Sequence, residues 1–419
     1  MTNRLIPFLL FGLLFWNACT EPQPTAAETP ATTAEMVPFN FETRTITDSV
    51  KFMWAFCPAE VSGDELIDLV LINGNNAGGP LQYLKGQTDT GRWELITIAE
   101  VPPTGGKFAA GDLEAADMDG DGDTDVFAVK HPGEWMDASA EAELFWYENP
   151  TWTPHPIGAV PNAVKDVNFA DFDQDGKMDV AVLTFEESTL SVFRQRPRDG
   201  LFERVAYYEN YGNLHEGMAT GDTNGDGRPD IIANGYVFSN TADDLSTEWT
   251  VTNIDEKWNN QPSEEGRDDN WSRNGTKHFA RDLDGDGTVE VFVSHSERAG
   301  YPLSLYRKRG DAWEEQIIAE NIPAGHTLQV FDFDNDGDLD LLSGVNRNRA
   351  VNIKEGVDNY NVVIYRNNGD GTEWTPEIIG TDGIYNGQAA DFDNDGDVDI
   401  FRYPNHEATQ VELLVNGVK

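Results

Sequence analysis

Six times the chain writes the same nine-residue phrase: Asp, any, Asp or Asn, any, Asp, Gly, any, any, Asp or Glu. The copies begin at Asp117, Asp171, Asp222, Asp282, Asp332 and Asp391, so successive copies lie 54, 51, 60, 50 and 59 residues apart. A period of this order points to a solenoid, a propeller or an array of small units. Behind each phrase stands a short run rich in β-branched and other apolar residues: VFAV, VAVL, IIAN, VFVS, LLSG and IFRY. Each reads as a strand. A second run follows, such as LSVF or LSLY, and then a third, often headed by Trp, as in WEEQIIA and WTPEIIG. A mixed run such as HTLQVF precedes the phrase. Four short strands per unit, with turn residues between them and no long helical period, describe the blade of a β-propeller.

The unit count comes from a copy that has decayed. EVSGDELID at Glu60–Asp68 lies 57 residues before Asp117 and is followed by the strand LVLIN. It has Ser62 at position 3 and Glu65 where the Gly belongs, and it is not expected to hold a metal. Seven units predict an all-β, seven-bladed propeller over residues 39–419. The last unit ends after its third strand, VELLV, and FNFETRTITD at Phe39–Asp48 looks like the missing fourth. The N-terminal segment is therefore expected to close the ring, which removes an open sheet edge.

The phrase also carries chemistry. Calcium takes six to eight oxygens, and carboxylates at positions 1, 3 and 5 of a tight loop converge on one point, with Gly at position 6 allowing the turn. A backbone carbonyl at position 7 and the acid at position 9 supply further oxygens. The predicted ligands are Asp117, Asp119, Asp121 and Asp125 in the first copy, and Asp171, Asp173, Asp175 and Asp179 in the second. The third offers Asp222, Asn224, Asp226 and Asp230, and the fourth Asp282, Asp284, Asp286 and Glu290. The fifth offers Asp332, Asp334, Asp336 and Asp340, and the sixth Asp391, Asp393, Asp395 and Asp399. About six Ca2+ ions are expected. An EF-hand is excluded, because position 12 is Ala128, Val182, Ala233, Val293, Ser343 and Arg402, never the required Glu, and strands rather than helices follow.

The repeated loop and its four-stranded unit resemble the FG-GAP/VCBS repeat family, across roughly residues 39–419. The resemblance implies an integrin-α-like calcium propeller of the kind found in secreted bacterial proteins. That family includes adhesion modules, carbohydrate binders, and carbohydrate lyases and dehydratases, so the fold does not settle the activity.

A net charge of −45 argues against nucleic acid as a partner. Much of that charge is loop charge: the four ligand positions of the six copies carry 23 carboxylates. Residues 1–18 read as an export leader, with Arg4 ahead of the apolar stretch Leu5–Trp16, which is too short to span a bilayer. Cys19 follows Ala18 and resembles the lipidated cysteine of a bacterial lipoprotein, although Trp16 stands where Leu is usual. Residues 19–38, rich in Pro, Thr, Ala and Glu, read as a flexible tether. The expected location is the outer membrane or cell surface of a bacterium, with the membrane reached through lipid only. Cys57 is expected to be a buried small hydrophobe, with no disulfide.

Function is expected away from the acidic loops. Each of those loops joins strands one and two of a blade, so the loops between strands two and three, and between blades, lie on the opposite face. That face carries the long insertions at 130–142, 255–275 and 344–360, and loops on a rigid scaffold are where binding concentrates. Counted back from each loop, His278 stands at −4, and His326 and Tyr385 at −6, which puts all three on equivalent sides of their strands. They form a candidate catalytic cluster near the channel mouth. Trp135, Trp271, Arg298 and Arg347 are candidate ligand contacts. Two readings follow. The first is a monomeric, calcium-stabilised binding module for a polysaccharide or a cell-surface protein. The second is a lyase or dehydratase acting on uronate sugars by β-elimination, with His278 or His326 as base and Tyr385 as acid.

Overall fold

The computed structural model describes residues 37–50, 53–74, 77–133, 139–185, 188–209, 216–259, 275–353, 360–405 and 408–417. The leader, Cys19, Trp135, Trp271, His215 and His406 lie outside them. The chain divides into Met1–Pro38 and Phe39–Lys419.

The second unit is a propeller of seven antiparallel sheets. Each blade runs outward in sequence order. Blade 3 is typical, with strands Val164–Ala170, Asp179–Thr184, Leu190–Gln195 and Phe202–Tyr208. Blade 2 departs from this: its first strand is split into Lys107–Phe108 and Ala115–Ala116, both paired with Asp125–His131. Blade 7 is the closure. Its order is Gln388–Ala390, Asp399–Arg402, Val411–Asn416 and then the N-terminal strand Phe41–Thr47. Phe41 pairs with Asn416 and Thr45 with Glu412, as the Phe39–Asp48 segment predicted. The 344–360 insertion, read as a loop, contains a short helix at Arg347–Ile353.

The core lies between blades, and the acidic phrases reach into it. Position 2 of each phrase is apolar or small. Met118, Phe172, Phe333 and Phe392 are at most 1% exposed. Phe172 packs on Trp249, and Phe392 on Trp93, with ring centroids 5.7 Å apart in both cases. Each of these tryptophans heads the fourth strand of the following blade. The recurrent Trp is therefore the socket for the neighbouring loop's wedge.

Candidate functional site

The acidic loops share one backbone. Position 6 lies at φ between +83° and +98° in all six, as its Gly requires. Position 4 is left-handed too, at Gly120, Gln174, Gly225, Gly285, Asn335 and Asn394. Gly and Asn tolerate that region best, so their recurrence at position 4 was a readable signal. In the decayed copy Glu65 holds φ +72° without the freedom of Gly.

The position-1 carboxylate ties the turn together. Asp117 Oδ1 accepts from the Gly120 N–H at 2.7 Å and Oδ2 from the Gly122 N–H at 3.0 Å. Position 5 accepts from position 7, as from Asp123 N–H to Asp121 Oδ1 at 2.9 Å. Five loops bring three carboxylates together with one oxygen of each within 4.8 Å of the others. In four of them these are positions 1, 3 and 9, for example Asp171, Asp173 and Asp179; in the fifth they are Asp332, Asp334 and Asp336. The Asp222 loop has the amide of Asn224 in place of one carboxylate. Asp173, Asp334 and Asp393 each leave Oδ1 buried with no hydrogen-bond partner. Buried, unpaired carboxylate oxygens beside other carboxylates are costly unless a cation meets them. The donor set, all hard oxygen, fits calcium.

Position 9 does a second job. Burial, aided by the neighbouring loop acids, pushes Asp179, Asp340 and Asp399 up to about 7 and Asp125 and Asp230 up to about 6. Each bridges its loop to its own third strand. Asp179 accepts from Phe172 N–H at 3.0 Å and from Gln195 N–H at 2.8 Å. The decayed loop keeps this bridge, with Asp68 accepting from Val61 N–H at 3.0 Å and Gly86 N–H at 2.8 Å. There the Lys85 ammonium sits 3.1 Å from Asp64. A side-chain cation thus occupies the decayed loop's acid.

The residue ending the third strand completes a clasp that the sequence reading missed. Asn149 Nδ2 donates to Val61 O at 3.0 Å, Gln195 Nε2 to Met118 O at 3.0 Å, and Asn240 Nδ2 to Phe172 O at 2.7 Å. Asn416 Nδ2 donates to Phe333 O at 2.8 Å. In every case the acceptor is the position-2 carbonyl of the preceding blade. Asn240→Ala would strand the buried carbonyl of Phe172 and the half-buried Pro229 carbonyl. It is expected to cost about 2 kcal/mol in urea denaturation of the calcium-loaded protein. A loss below about 0.5 kcal/mol, the size of an ordinary surface change, would rule the clasp out as a stabiliser.

The first strands line a central channel of about 610 Å³. Odd positions before each loop face it. At −5 stand Asp112, Asp166 and Lys277; at −3, Glu114, Asn168, Gln329 and Gln388; at −1, Ala116, Arg281, Phe331 and Ala390. Even positions pack between blades, among them Leu113, Val167 and Leu328, all at most 4% exposed.

His278, His326 and Tyr385 do share a side, but it is the packed side, at 7%, 2% and 3% exposure. His278 contributes to the channel wall, yet its Nε2 accepts from the Gly235 N–H at 3.0 Å, and burial pulls it down to about 3. His326 Nε2 lies 2.7 Å from Glu297 Oε1, and its ring lies 4.9 Å from that of Tyr385. Burial pushes the Tyr385 phenol far up. Arg349 also pairs with Glu297. Beside them Glu216 takes Lys277 at 3.0 Å and Lys165 at 3.4 Å. Burial alone would raise Glu216, and the two lysines outweigh it and hold the acid low. Glu216, Glu297, His326 and Arg349, none above 9% exposed, thus form a buried charged cluster, the plug, on the side of the blades away from the acidic loops. Arg298 is fully buried, its guanidinium 4.7 Å from the Tyr301 ring centre, so it is not presented to a partner. Arg347 is exposed at the start of the short helix, 5.2 Å from the Tyr360 ring centre.

Blade count, ring closure and left-handed acidic loops together define an acidic-loop β-propeller. The profile of the FG-GAP-like repeat matches residues 117–182, 171–233, 282–343 and 353–401, more than half of the sequence, and the chain belongs to that family. No curated protein matches it. Among solved structures it is similar to BBS1N in complex with ARL6DN, with TM-score 0.54 and 9% identity over 91% of this chain and 97% of that one. It is also similar to Sqt1 of Saccharomyces cerevisiae, with TM-score 0.52 and 7% identity over 91% and 100%. At such identities the likeness shows the fold alone. Among the described residues no helix is long and apolar enough to cross a membrane.

Proposed function

We propose that the protein is an exported binding propeller, stabilised by calcium, tethered through lipid on Cys19 to a bacterial outer membrane or cell surface. It captures a polysaccharide or a surface protein with the loops opposite the acidic ones. The observation that carries this reading is the division of labour between the two faces. The acidic loops are bonded into the ring through positions 1, 2 and 9, whereas the opposite face carries, among the described residues, the short helix Arg347–Ile353 and the exposed Arg347. Membership of the FG-GAP-like repeat family supports export and binding. The β-elimination reading has one favourable observation, the His326–Tyr385 pair beside Arg349. Against it stand the burial of all three candidate groups and the backbone bond that occupies His278.

The test uses calcium-loaded, full-length protein and immobilised alginate, polygalacturonate and heparin, with ultraviolet absorbance following any new double bonds. Retention without absorbance change, weakened by Arg347→Ala, supports capture. Rising absorbance that His326→Ala abolishes replaces capture with elimination. Neither retention nor absorbance change removes the acidic-glycan arm and leaves a protein partner.

A further inference from the structure

Arg281 is the group in the channel that neither the ring nor the plug uses. It lies at −1, next to the acidic loops, and it is exposed. Its guanidinium sits 5.3 Å and 5.4 Å from the ring centres of Phe279 and Phe331. Among the described residues it makes no ion pair and no hydrogen bond. In a chain with 74 acids and 29 bases, a guanidinium left without a carboxylate is unexpected on electrostatic grounds alone. Five N–H donors in a fixed fork, held over two rings and facing a cavity, suit an incoming oxyanion.

The layer beneath is also unsatisfied. Asn168 Nδ2 donates to Glu114 Oε1 at 3.1 Å, while Asn168 Oδ1 is buried with no partner. Gln329 Oε1 accepts from the Ala389 N–H at 3.3 Å. Gln388 lines the same space. Access improves along the axis toward the acidic loops: Asp166 at −5 is 7% exposed, the −3 amides are half-buried, and Arg281 is open. Toward the far end stand the buried, ion-paired Glu216, Glu297, His326 and Arg349. The volume, about 610 Å³, falls in the range of roughly 300–1,000 Å³ usual for small-molecule sites.

We propose that the channel binds a small hydroxylated monoanion, a sugar acid or comparable hydroxy acid, at its acidic-loop end. The carboxylate pairs with Arg281, and hydroxyls meet Asn168, Gln329 and Gln388. Phe279 and Phe331 hold the guanidinium in place and offer their faces to C–H groups. Deeper in the channel Asp112, Glu114 and Asp166 offer further oxygens to ligand hydroxyls, and burial pushes all three carboxyls up, Asp112 to about 7 and Glu114 to about 8. This site lies at the other end of the ring from the loops proposed for capture, and it stands or falls independently of them.

Isothermal titration of calcium-loaded, full-length protein with glucuronate, gluconate, glucose and inorganic sulfate tests it. Saturable, one-to-one binding of at least one sugar acid is expected, with glucose weaker by about tenfold or more once the Arg contact is lost. Arg281→Gln is expected to weaken the sugar acid by a similar factor with the melting temperature unchanged, since Arg281 is exposed. Gln388→Ala is expected to weaken it by a few-fold. Absence of binding by the natural protein, or equal binding by Arg281→Gln, overturns the proposal. Sulfate binding as tight as the sugar acids also overturns it, because the hydroxyl contacts would then add nothing.

Discussion

In excess chelator the protein is expected to melt about 20 °C below its calcium-loaded form. A ligand at a hundred times its dissociation constant adds about 2.7 kcal/mol per site. A unit of this size unfolds with an entropy of about 0.8 kcal/mol/K. Occupancy of six loops therefore moves the transition far more than any single side chain can. The direction follows from the loops themselves. Without a cation, three of them bury an unpaired Oδ1 at position 3, and five gather three carboxylates that repel one another. Differential scanning calorimetry with and without chelator checks this, and calcium in excess of the chelator is expected to restore the transition. Equal melting temperatures would remove the metal from the account of stability.

Loss of the N-terminal strand is expected to be as damaging. A chain beginning at Ser49 lacks Phe41–Thr47 and its six paired positions on Val411–Asn416. It also loses Ile46, 1% exposed, whose carbonyl accepts from the Trp93 N–H at 2.8 Å. Trp93 is the socket for Phe392, so the damage reaches the interface between blades 7 and 1. The bared edge of Val411–Asn416 becomes a template for other chains. Size-exclusion chromatography is expected to show aggregate, and any remaining monomer is expected to melt more than about 10 °C lower, given the several kcal/mol in the lost contacts. The milder Ile46→Ala is expected to cost about 2–4 kcal/mol. A truncated chain that stays monomeric with its melting temperature intact would show that the ring does not depend on this strand.

The architecture was legible because its determinants are local and repeated. An Asp-rich turn followed by an apolar run says loop and second strand wherever it occurs, and a copy that decayed in register at Glu60 completes the count. The closing strand was legible because one unit lacked what Phe39–Asp48 supplied. The channel was harder. A period of two says that His278, His326 and Tyr385 share a side, but not which side faces the axis. The answer lay in chemistry rather than in parity. The odd register is polar, with Asp112, Glu114, Asp166, Asn168, Lys277 and Gln329, while the even register holds Leu113, Val167 and Leu328. The clasp was out of reach for another reason. Asn149 and Val61 are partners 88 residues apart, and nothing within one repeat shows that its third strand holds the loop of the previous one.

The pairing of Phe41 with Asn416 also sets a timetable. Six blades consist of neighbouring segments and can form in turn as the chain is synthesised. The seventh cannot: its outer strand, Phe41–Thr47, precedes the other six blades and must wait, unpaired, until some 370 more residues have followed. Contacts so distant in sequence are slow to form. During that interval both the waiting strand and the unfinished edge are open to the wrong partner. For a nascent protein of this design the vulnerable period spans the synthesis of every blade between the two strands, and a holdase that covers Phe41–Thr47 would act where the hazard lies.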